Sequence, residues 1–508
     1  MKLALKTSRL GESRCCTEET VKQTLEEEIT LPEDRAPIHR VLKCVVRVNR
    51  GGVSLVGERA TVGGTAQVRL LYINDVQAID CCETELPFSA STEFHGLPQN
   101  AVVTASATVE YVNCRVGGAR RFSVSTVIAL RFCAFVCEET PLPLPQPGCG
   151  CETMTETLRC VSLVSLSEKT FDLSETLELP EGRPAIARLL AADGALRVTS
   201  QKAAGGKILL KGDFAVNVLY CAEGTQCAVE HLTHTLPVSQ VLDAPGAQEG
   251  QPFDMAVTVS ALQTKVRPDA DGANRLLELA VKVSTFTRVF ESREQVVIRD
   301  CYATDGALLP TYRPMEFLVP LQAGELHAAV RETPDLDGLA PAAVLDAAVQ
   351  TPTVTLNADG ALLTAAIRLP VRLLLRDAED RVHYLERTVE TTAQTQLTAP
   401  CDRVVAVPSL TVDNLHASLA DGVLTLRLDC TVTGPVYAVE TRRVCVRLEE
   451  GAPDDAEKST LTLCFAPQGT ALWEIAKKYR TTVQAIRQEN ELKEDVLGSD
   501  VMLLVPSV

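Results

Sequence analysis

Two arginines five residues apart, Arg35 and Arg40, recur 148 positions later as Arg183 and Arg188, each pair inside the same twelve-residue box. The box reads Leu31-Pro32-Glu33-Asp34-Arg35-Ala36-Pro37-Ile38-His39-Arg40-Val41-Leu42. It returns as Leu179-Pro180-Glu181-Gly182-Arg183-Pro184-Ala185-Ile186-Ala187-Arg188-Leu189-Leu190, with seven of twelve positions identical. Guanidinium groups grip carboxylates in a fork. The partners would be neighbours such as Glu33 and Glu181, or groups on another protein, and an ion pair bracing each domain is the expected role. Other chemistry is sparse. His231-Leu-Thr-His234 is the closest histidine pair, but in a strand residues three apart point to opposite faces, so neither a metal site nor a cofactor is expected. There is no Gly-x-Ser-x-Gly elbow, no P-loop and no His-Glu-x-x-His, so the chain does not read as an enzyme.

Eighteen cysteines remain. Cys15-Cys16 and Cys81-Cys82 are vicinal, and Cys149 and Cys151 flank a glycine. Paired C-x-x-C spacing of a zinc ribbon is missing. Cys44, Cys114, Cys133 and Cys430 fit strand patterns and read as small buried hydrophobes. Cys149, Cys151 and Cys160 are the candidates for oxidative cross-linking within an assembly.

The elements that must position these residues read mostly as strands. Leu424, Leu426, Leu428, Cys430 and Val432 alternate strictly, and Leu173, Leu177 and Leu179 do so with one polar slip at Glu175. Gly51-Gly52, Gly63-Gly64, Gly117-Gly118, Gly205-Gly206, Asp271-Gly272, Asp305-Gly306, Asp359-Gly360 and Asp421-Gly422 punctuate the runs as turns. Within the box, Ile38 and Leu42, like Ile186 and Leu190, stand four apart, as on one helical turn. The fold expected is mostly β: tandem β-sandwich-like domains followed by a small βααβ module.

The repeat divides the chain. A first β domain spans 1–140 and a Pro-rich linker 141–154, where Pro141, Pro143, Pro145 and Pro147 alternate. A second β domain covers 155–292. A third, degenerate copy fills 300–448, where Pro370-Val-Arg-Leu-Leu-Leu-Arg-Asp377 resembles the strands ending at Tyr72 and Tyr220 but the Leu-Pro-Glu-x-Arg box is gone. An acidic linker, 449–459, leads to the module at 460–508. There Leu472, Trp473, Ile475, Ala476 and Tyr479 recur at helical spacing and form a core stripe, and Thr481-Thr482 caps a second short helix.

Composition narrows the partners. The net charge of −17 disfavours nucleic acid and anionic membrane surfaces. Lys6 interrupts the apolar start too early for a secretory signal, and no run approaches a membrane-spanning helix. The expected location is the cytoplasm, without direct membrane insertion.

The last module resembles the LysM domain. The residues carrying the likeness are Gly469-Thr470-Ala471-Leu472-Trp473-Glu474-Ile475-Ala476, Lys478-Tyr479, Thr481-Thr482-Val483, Asn490 and Val505-Pro506. Many LysM domains bind N-acetylglucosamine-containing glycans between their two strand–helix loops. The resemblance places those loops at Gln468–Leu472 and Asn490–Asp495. It makes Gln468, Gly469, Thr470, Ala471, Leu472, Asn490 and Leu492 the candidates for binding a glycan such as peptidoglycan, or a protein. The family's Asp-Thr pair is replaced here by Thr470 and Ala471.

The duplicated box, with a following strand that ends in Leu71-Tyr72 or Leu219-Tyr220, resembles the SPOCS domain of clostridial spore-coat proteins. In that family SPOCS units precede a C-terminal LysM, the order found here. The resemblance implies a mother-cell scaffold at the forespore surface, whose LysM contacts the morphogenetic ATPase of the coat basement layer and which recruits other coat proteins.

Overall fold

In the computed structural model, residues 5–145, 151–224, 228–304, 307–451 and 460–507 are described. The first unit contains β1 (Leu5–Thr30), β2 (Ile38–Val56), β3 (Arg59–Asn74), β4 (Ile79–Glu93), β5 (Val102–Gly118) and β6 (Arg121–Pro145). Two antiparallel sheets, β1-β6-β5 and β2-β3-β4, face each other across an apolar core that includes Val68, Leu70, Tyr72, Phe122, Ile128 and Phe132. The second unit repeats this order with β7 (Cys151–Glu178), β8 (Ile186–Ala204), β9 (Lys207–Ala222), β10 (Val229–Asp243), β11 (Phe253–Arg267) and β12 (Leu276–Ala303). Phe214, Val216, Val218 and Tyr220 of β9 occupy its core, as the residues 148 positions earlier occupy the first.

The third unit keeps the strand order but breaks the long strands. It comprises β13 (Leu308–Leu321), β14 (Leu326–Glu332), β15 (Pro341–Val349), β16 (Thr353–Asp359), β17 (Leu362–Asp377), β18 (Val382–Gln396), β19 (Val404–Ala406), β20 (Ser409–Ala420), β21 (Val423–Thr433) and β22 (Val436–Glu450). β15 and β16 both pair with β17, in the place that one strand fills in the other units, and β17 pairs with β18. The final module has β23 (Leu461–Ala466), α1 (Leu472–Tyr479), α2 (Val483–Glu489) and β24 (Val501–Pro506). The β-sandwich-like architecture and the βααβ ending are thus as the alternation and helical spacing predict.

The strands run further than the sandwiches need. β1 and β6 stay paired from Thr30↔Arg121 out to Leu5↔Pro145, and β7 and β12 from Glu178↔Leu276 out to Cys151↔Ala303. Their outer halves form arms, and β13 with β22 makes a third arm. The arms join through the pairing of Val161 with Leu318 and share a core of Leu10, Leu142, Leu158, Cys160, Val297, Met315, Phe317 and Val444. Residues 141–145 and 151–154 therefore belong to strands, and the Pro-rich segment is not a spacer there. Prolines at every second position put all their missing donors on one side of β6. β5 has already ended opposite Phe135, so that side no longer needs a ladder. Residues 146–150, including Cys149, lie outside the described residues.

Two of the glycine pairs are not turns. Gly51-Gly52 lies in β2 at a bulge between Arg50 and Val53, and Gly63-Gly64 lies inside β3 opposite it. A Cβ on Gly64 would stand 2.3 Å from the Asn49 carbonyl oxygen, and one on Gly212 would stand 2.4 Å from that of Arg197. Both glycines are 148 apart, as are both carbonyls. They exist to let a bulged strand approach. Gly117-Gly118 closes β5 and so stands at a strand end. Asp305-Gly306 lies outside the described residues.

Candidate interaction sites

The box forms an extended entry, a tight turn and the start of a strand. Arg35 N donates to Pro32 O at 3.0 Å, and Arg183 N to Pro180 O at 3.2 Å. No helical turn follows. Bulges after Ile38 and Val41, and after Ile186 and Leu189, shift the side-chain alternation. As a result Ile38 and Ile186 face their own sandwich cores, whereas Leu42 and Leu190 face a separate cluster between units.

The box arginines find carboxylates on the strand two places further on. Arg35 Nη1 stands 3.4 Å from Asp80 in β4, and Arg183 Nη1 stands 2.5 Å from Glu230 in β10. Glu33 and Glu181, the neighbours named from sequence, are exposed on the turn instead. The tyrosine of the following strand belongs to the same assembly. Tyr72 Oη donates to Ala36 O at 3.0 Å and Tyr220 Oη to Pro184 O at 3.3 Å. In the third unit Leu339 stands at the turn, where Leu339 N donates to Leu336 O, and Leu375 stands on the strand, so both parts are lost together.

Sequence reasoning missed two further arginines. Arg120 Nη2 donates to Pro32 O at 2.6 Å, and Arg275 donates to Pro180 O at 2.9 Å and to Arg183 O at 2.6 Å. Both sit immediately before the last strand of their unit. Their common position would have been the signal.

Arg40 and Arg188 reach out of their units. Arg40 Nη2 donates to Val382 O of the third unit at 2.7 Å. Arg188 Nη2 donates to Asp34 O of the first at 3.1 Å, and its Nε lies 3.6 Å from Asp80. The three units thus meet around a common cluster. Leu71, Leu219 and Leu374 come from equivalent strands, and Leu42, Leu190 and Leu345 from the strands beside them. Asp193 of the second unit takes Arg47 of the first and Arg372 of the third, the latter at 2.9 Å. Arg372 also holds Asp346 at 2.8 Å. Burial pushes the Asp193 carboxyl upward, but the two guanidinium groups outweigh it and hold the carboxyl below its ordinary range. A cavity of about 30 Å³ beside Arg47, Arg69 and Arg372 has room for little beyond water, so the junction is structural packing and not a ligand pocket.

In the terminal module the two candidate loops lie against each other. Gly469 N donates to Leu497 O at 2.8 Å, Leu497 N to Thr470 O at 3.0 Å, and Leu472 N to Asp495 O at 2.8 Å. Gln468 and Gly469 are exposed, with Gly469 at φ 84°. Thr470, Ala471, Asn490 and Leu492 are half-buried, and Leu472 is core. Asn490 is committed to backbone: it donates to Ile486 O and Leu504 O and accepts from Leu504 N, all within 2.8 Å. Thr482 caps α2, accepting from Ala485 N at 3.0 Å.

Trp473 and Tyr479 pack at the edge of this core, which also contains a residue from far upstream. Tyr302 of β12 stacks edge-on against Trp473, with ring centroids 5.0 Å apart, and donates to Thr481 O at 2.8 Å. Asp300 accepts from Trp473 Nε1 at 2.8 Å and from Lys477 Nζ at 2.6 Å. The module is seated on the tip of the second arm. Its opposite side is bare: in β23, Leu461, Leu463 and Phe465 are 47%, 61% and 63% exposed, and Met502 of β24 is 55% exposed. Register places Phe465 opposite Met502, Leu463 opposite Leu504 and Leu461 opposite Pro506, so the outer sheet face is one apolar patch.

Cys44, Cys81, Cys82, Cys160, Cys301, Cys430 and Cys445 are buried and carry free thiols. Cys160 is buried in the arm core and Cys151 is half-buried, while Cys149 and the side chains of Cys15 and Cys16 lie outside the described residues. Among the described residues no cluster of His, Cys, Asp and Glu suits a metal ion, and no helix is long and apolar enough to cross a membrane.

Comparison with known families agrees with this anatomy. The family described as SipL, SPOCS domain matches residues 37–117 and 185–267, which run from the second half of the box through the four strands after it in each of the first two units. The LysM domain family matches residues 471–506. No curated protein and no solved structure matches the chain. The chain carries two SPOCS domains of the SipL type, joined through a third β unit to a C-terminal LysM domain.

Proposed function

We infer that the chain has a sporulation-related role as a scaffold or a glycan binder, a reading its SPOCS and LysM domains support. We propose that it is a non-enzymatic scaffold of spore coat assembly in the mother cell. Its LysM would dock the coat basement morphogenetic ATPase at the forespore surface, and its SPOCS units would hold other coat proteins. The third β unit is, on this reading, a worn copy of the same domain. The observation that carries the protein-docking role is the apolar outer face of Leu461, Leu463, Phe465 and Met502. Sugars are bound by polar groups and ring stacking, whereas a contiguous apolar patch on a small polar-rimmed module suits a protein surface. Several such weak contacts on one chain raise effective concentration at a curved surface.

Pull-down of the ATPase with the intact chain, with the chain lacking residues 460–508 and with Phe465→Glu tests the reading. Recovery should fall in both altered chains. Equal recovery from all three would remove the docking role of the LysM. The contiguity of Gln468–Leu472 with Asn490–Asp495 favours a second reading, binding of peptidoglycan glycan in a wall or cortex. Co-sedimentation with purified peptidoglycan that survives Phe465→Glu would support it.

A further inference from the structure

Cys301 and Cys445 come from different units. Cys301 lies on β12 in the second arm and Cys445 on β22 in the third. Both are buried in one small cluster with Ile298 and Leu448, edged by Cys151, Leu308 and Tyr312. The two side chains lie beside each other in it. Tyr312 stands opposite Cys445 in the β13–β22 register, and its Oη is 3.5 Å from Cys301 Sγ. Cys445 Sγ also donates to Arg447 O at 3.2 Å. A disulfide requires sulfurs about 2.0 Å apart on Cβ atoms about 3.5–4.5 Å apart. Two buried side chains of one cluster, on strands β12 and β22 that pack together where the arms meet, can reach that geometry.

We propose that Cys301 and Cys445 are an oxidisable dithiol that a peroxide closes to a disulfide, fastening the second arm to the third beside the LysM seat. The Cys301 thiolate attacks one peroxide oxygen and breaks the O–O bond. Cys301 becomes a sulfenic acid, and the other oxygen leaves as water after taking a proton. The Cys445 sulfur then attacks the Cys301 sulfur and expels the sulfenic oxygen as a second water. Both thiol hydrogens and two electrons end on hydrogen peroxide, which becomes two waters.

The surroundings assign the order of attack. The contact with Cys445 lowers the Cys301 thiol, burial opposes it, and Tyr312 adds a second lowering contact. The same thiol contact raises Cys445. Cys301 is therefore the attacking group and Cys445 the resolving one. Cys160 and Cys430 make a contrast, since burial pushes both up to about 11. Cys44 and Cys114 also share a thiol contact, but they join two sheets of one sandwich. The Cys301–Cys445 bond would instead join two units, one residue from both Asp300 and Tyr302 that hold the LysM.

The test uses the full chain. Native protein is treated with hydrogen peroxide, free thiols are alkylated, and the unreduced digest is mapped by mass spectrometry. The expected result is a Cys301–Cys445 linked peptide that has lost two hydrogens and disappears on reduction, in protein that remains free of intermolecular cross-links. In Cys445→Ser, dimedone should trap a Cys301 sulfenic acid. Recovery of both cysteines as alkylated thiols, or of Cys301 as a sulfinic acid without linked peptide, would overturn the proposal. Wild-type mapping decides the matter even where the variant does not fold.

Discussion

Replacing Asp300 by alanine removes the acceptor that ties the LysM domain to the second arm. Two contacts are at stake. The hydrogen bond from Trp473 Nε1 to a carboxylate contributes about 1.5–3 kcal/mol. The Lys477 ion pair is half in solvent, with Lys477 46% and Asp300 26% exposed, and adds about 0.2–1 kcal/mol. Tyr302 stays in place and keeps its ring contact. Docking in Asp300→Ala should therefore weaken by about 2–4 kcal/mol, a factor of roughly 30 to 700. Lys477→Ala should cost less than about 1 kcal/mol. The assay is built in, because Trp473 is the only tryptophan of the chain. Acrylamide quenching of its fluorescence at neutral pH should rise sharply in Asp300→Ala and barely in Lys477→Ala. Acidity offers a second axis. Burial would raise the Asp300 carboxyl, but Lys477 and Trp473 outweigh it and lower it on balance. The contribution is thus fully present above the unfolded carboxylate value near about 4 and is lost as pH falls through the lower folded value. Quenching of the wild type should therefore increase below about pH 4, and Asp300→Asn should show no such transition. Equal quenching of wild type and Asp300→Ala would refute the seat, and equal loss in both alanine variants would show that the ion pair, not the indole bond, carries it.

Further outcomes follow from the other contacts. Asp193→Ala leaves Arg47 with the Ala192 carbonyl and Arg372 with Asp346 alone, and because Arg47 is about one-third exposed the cost should be about 2–3 kcal/mol in urea unfolding, against about 1 kcal/mol for Arg47→Ala. An Asp193 change that leaves the midpoint unmoved would show that the units do not rely on this triad. Tyr220→Phe should lose about 0.5–1.5 kcal/mol through the Pro184 carbonyl, while Arg183→Ala, at a half-exposed pair, should lose less than about 1 kcal/mol. Gly64→Ala should destabilise by about 1–3 kcal/mol, since the new methyl meets a backbone oxygen that cannot swing away. A neutral Gly64→Ala would mean that the β2 bulge relaxes freely.

Much of the fold was legible because its signals are local. Strict alternation marks β21, helical spacing marks α1, and the twelve-residue box marks the duplication. The site was legible only in part. Arg35 and Arg183 pair with carboxylates of their own units, but those sit on a strand some fifty residues away, where no spacing rule points. Ile38 and Leu42 imitate a helical turn by spacing alone, whereas the bulges after Ile38 and Val41 send one to the sandwich core and the other to the cluster between units. The arms were hidden for a different reason. Their strands pair the first and last residues of each unit, and Pro141, Pro143 and Pro145 carry the composition of a spacer while lying on a strand with one free side. The LysM seat was invisible because Asp300 and Tyr302 lie more than 170 residues before Trp473 and Lys477 in the chain.

The arms also impose a calendar on synthesis. A chain leaves the ribosome from its N-terminus, and units generally fold as they emerge. Each sandwich has what it needs once its own strands are out. The arm bundle does not: β1 waits for the end of β6, and the shared core of Leu10, Leu142, Leu158 and Val297 waits for Phe317 and Val444 of the third unit. Its last strand ends at Glu450, just before the segment that leads into the LysM. The nascent protein thus carries uncovered leucines until its third unit has emerged, and the surface that receives the LysM matures only as the LysM itself appears. A chain released early would expose those leucines and lack its terminal domain in the same event, which makes incomplete molecules both sticky and unable to take their place in an assembly.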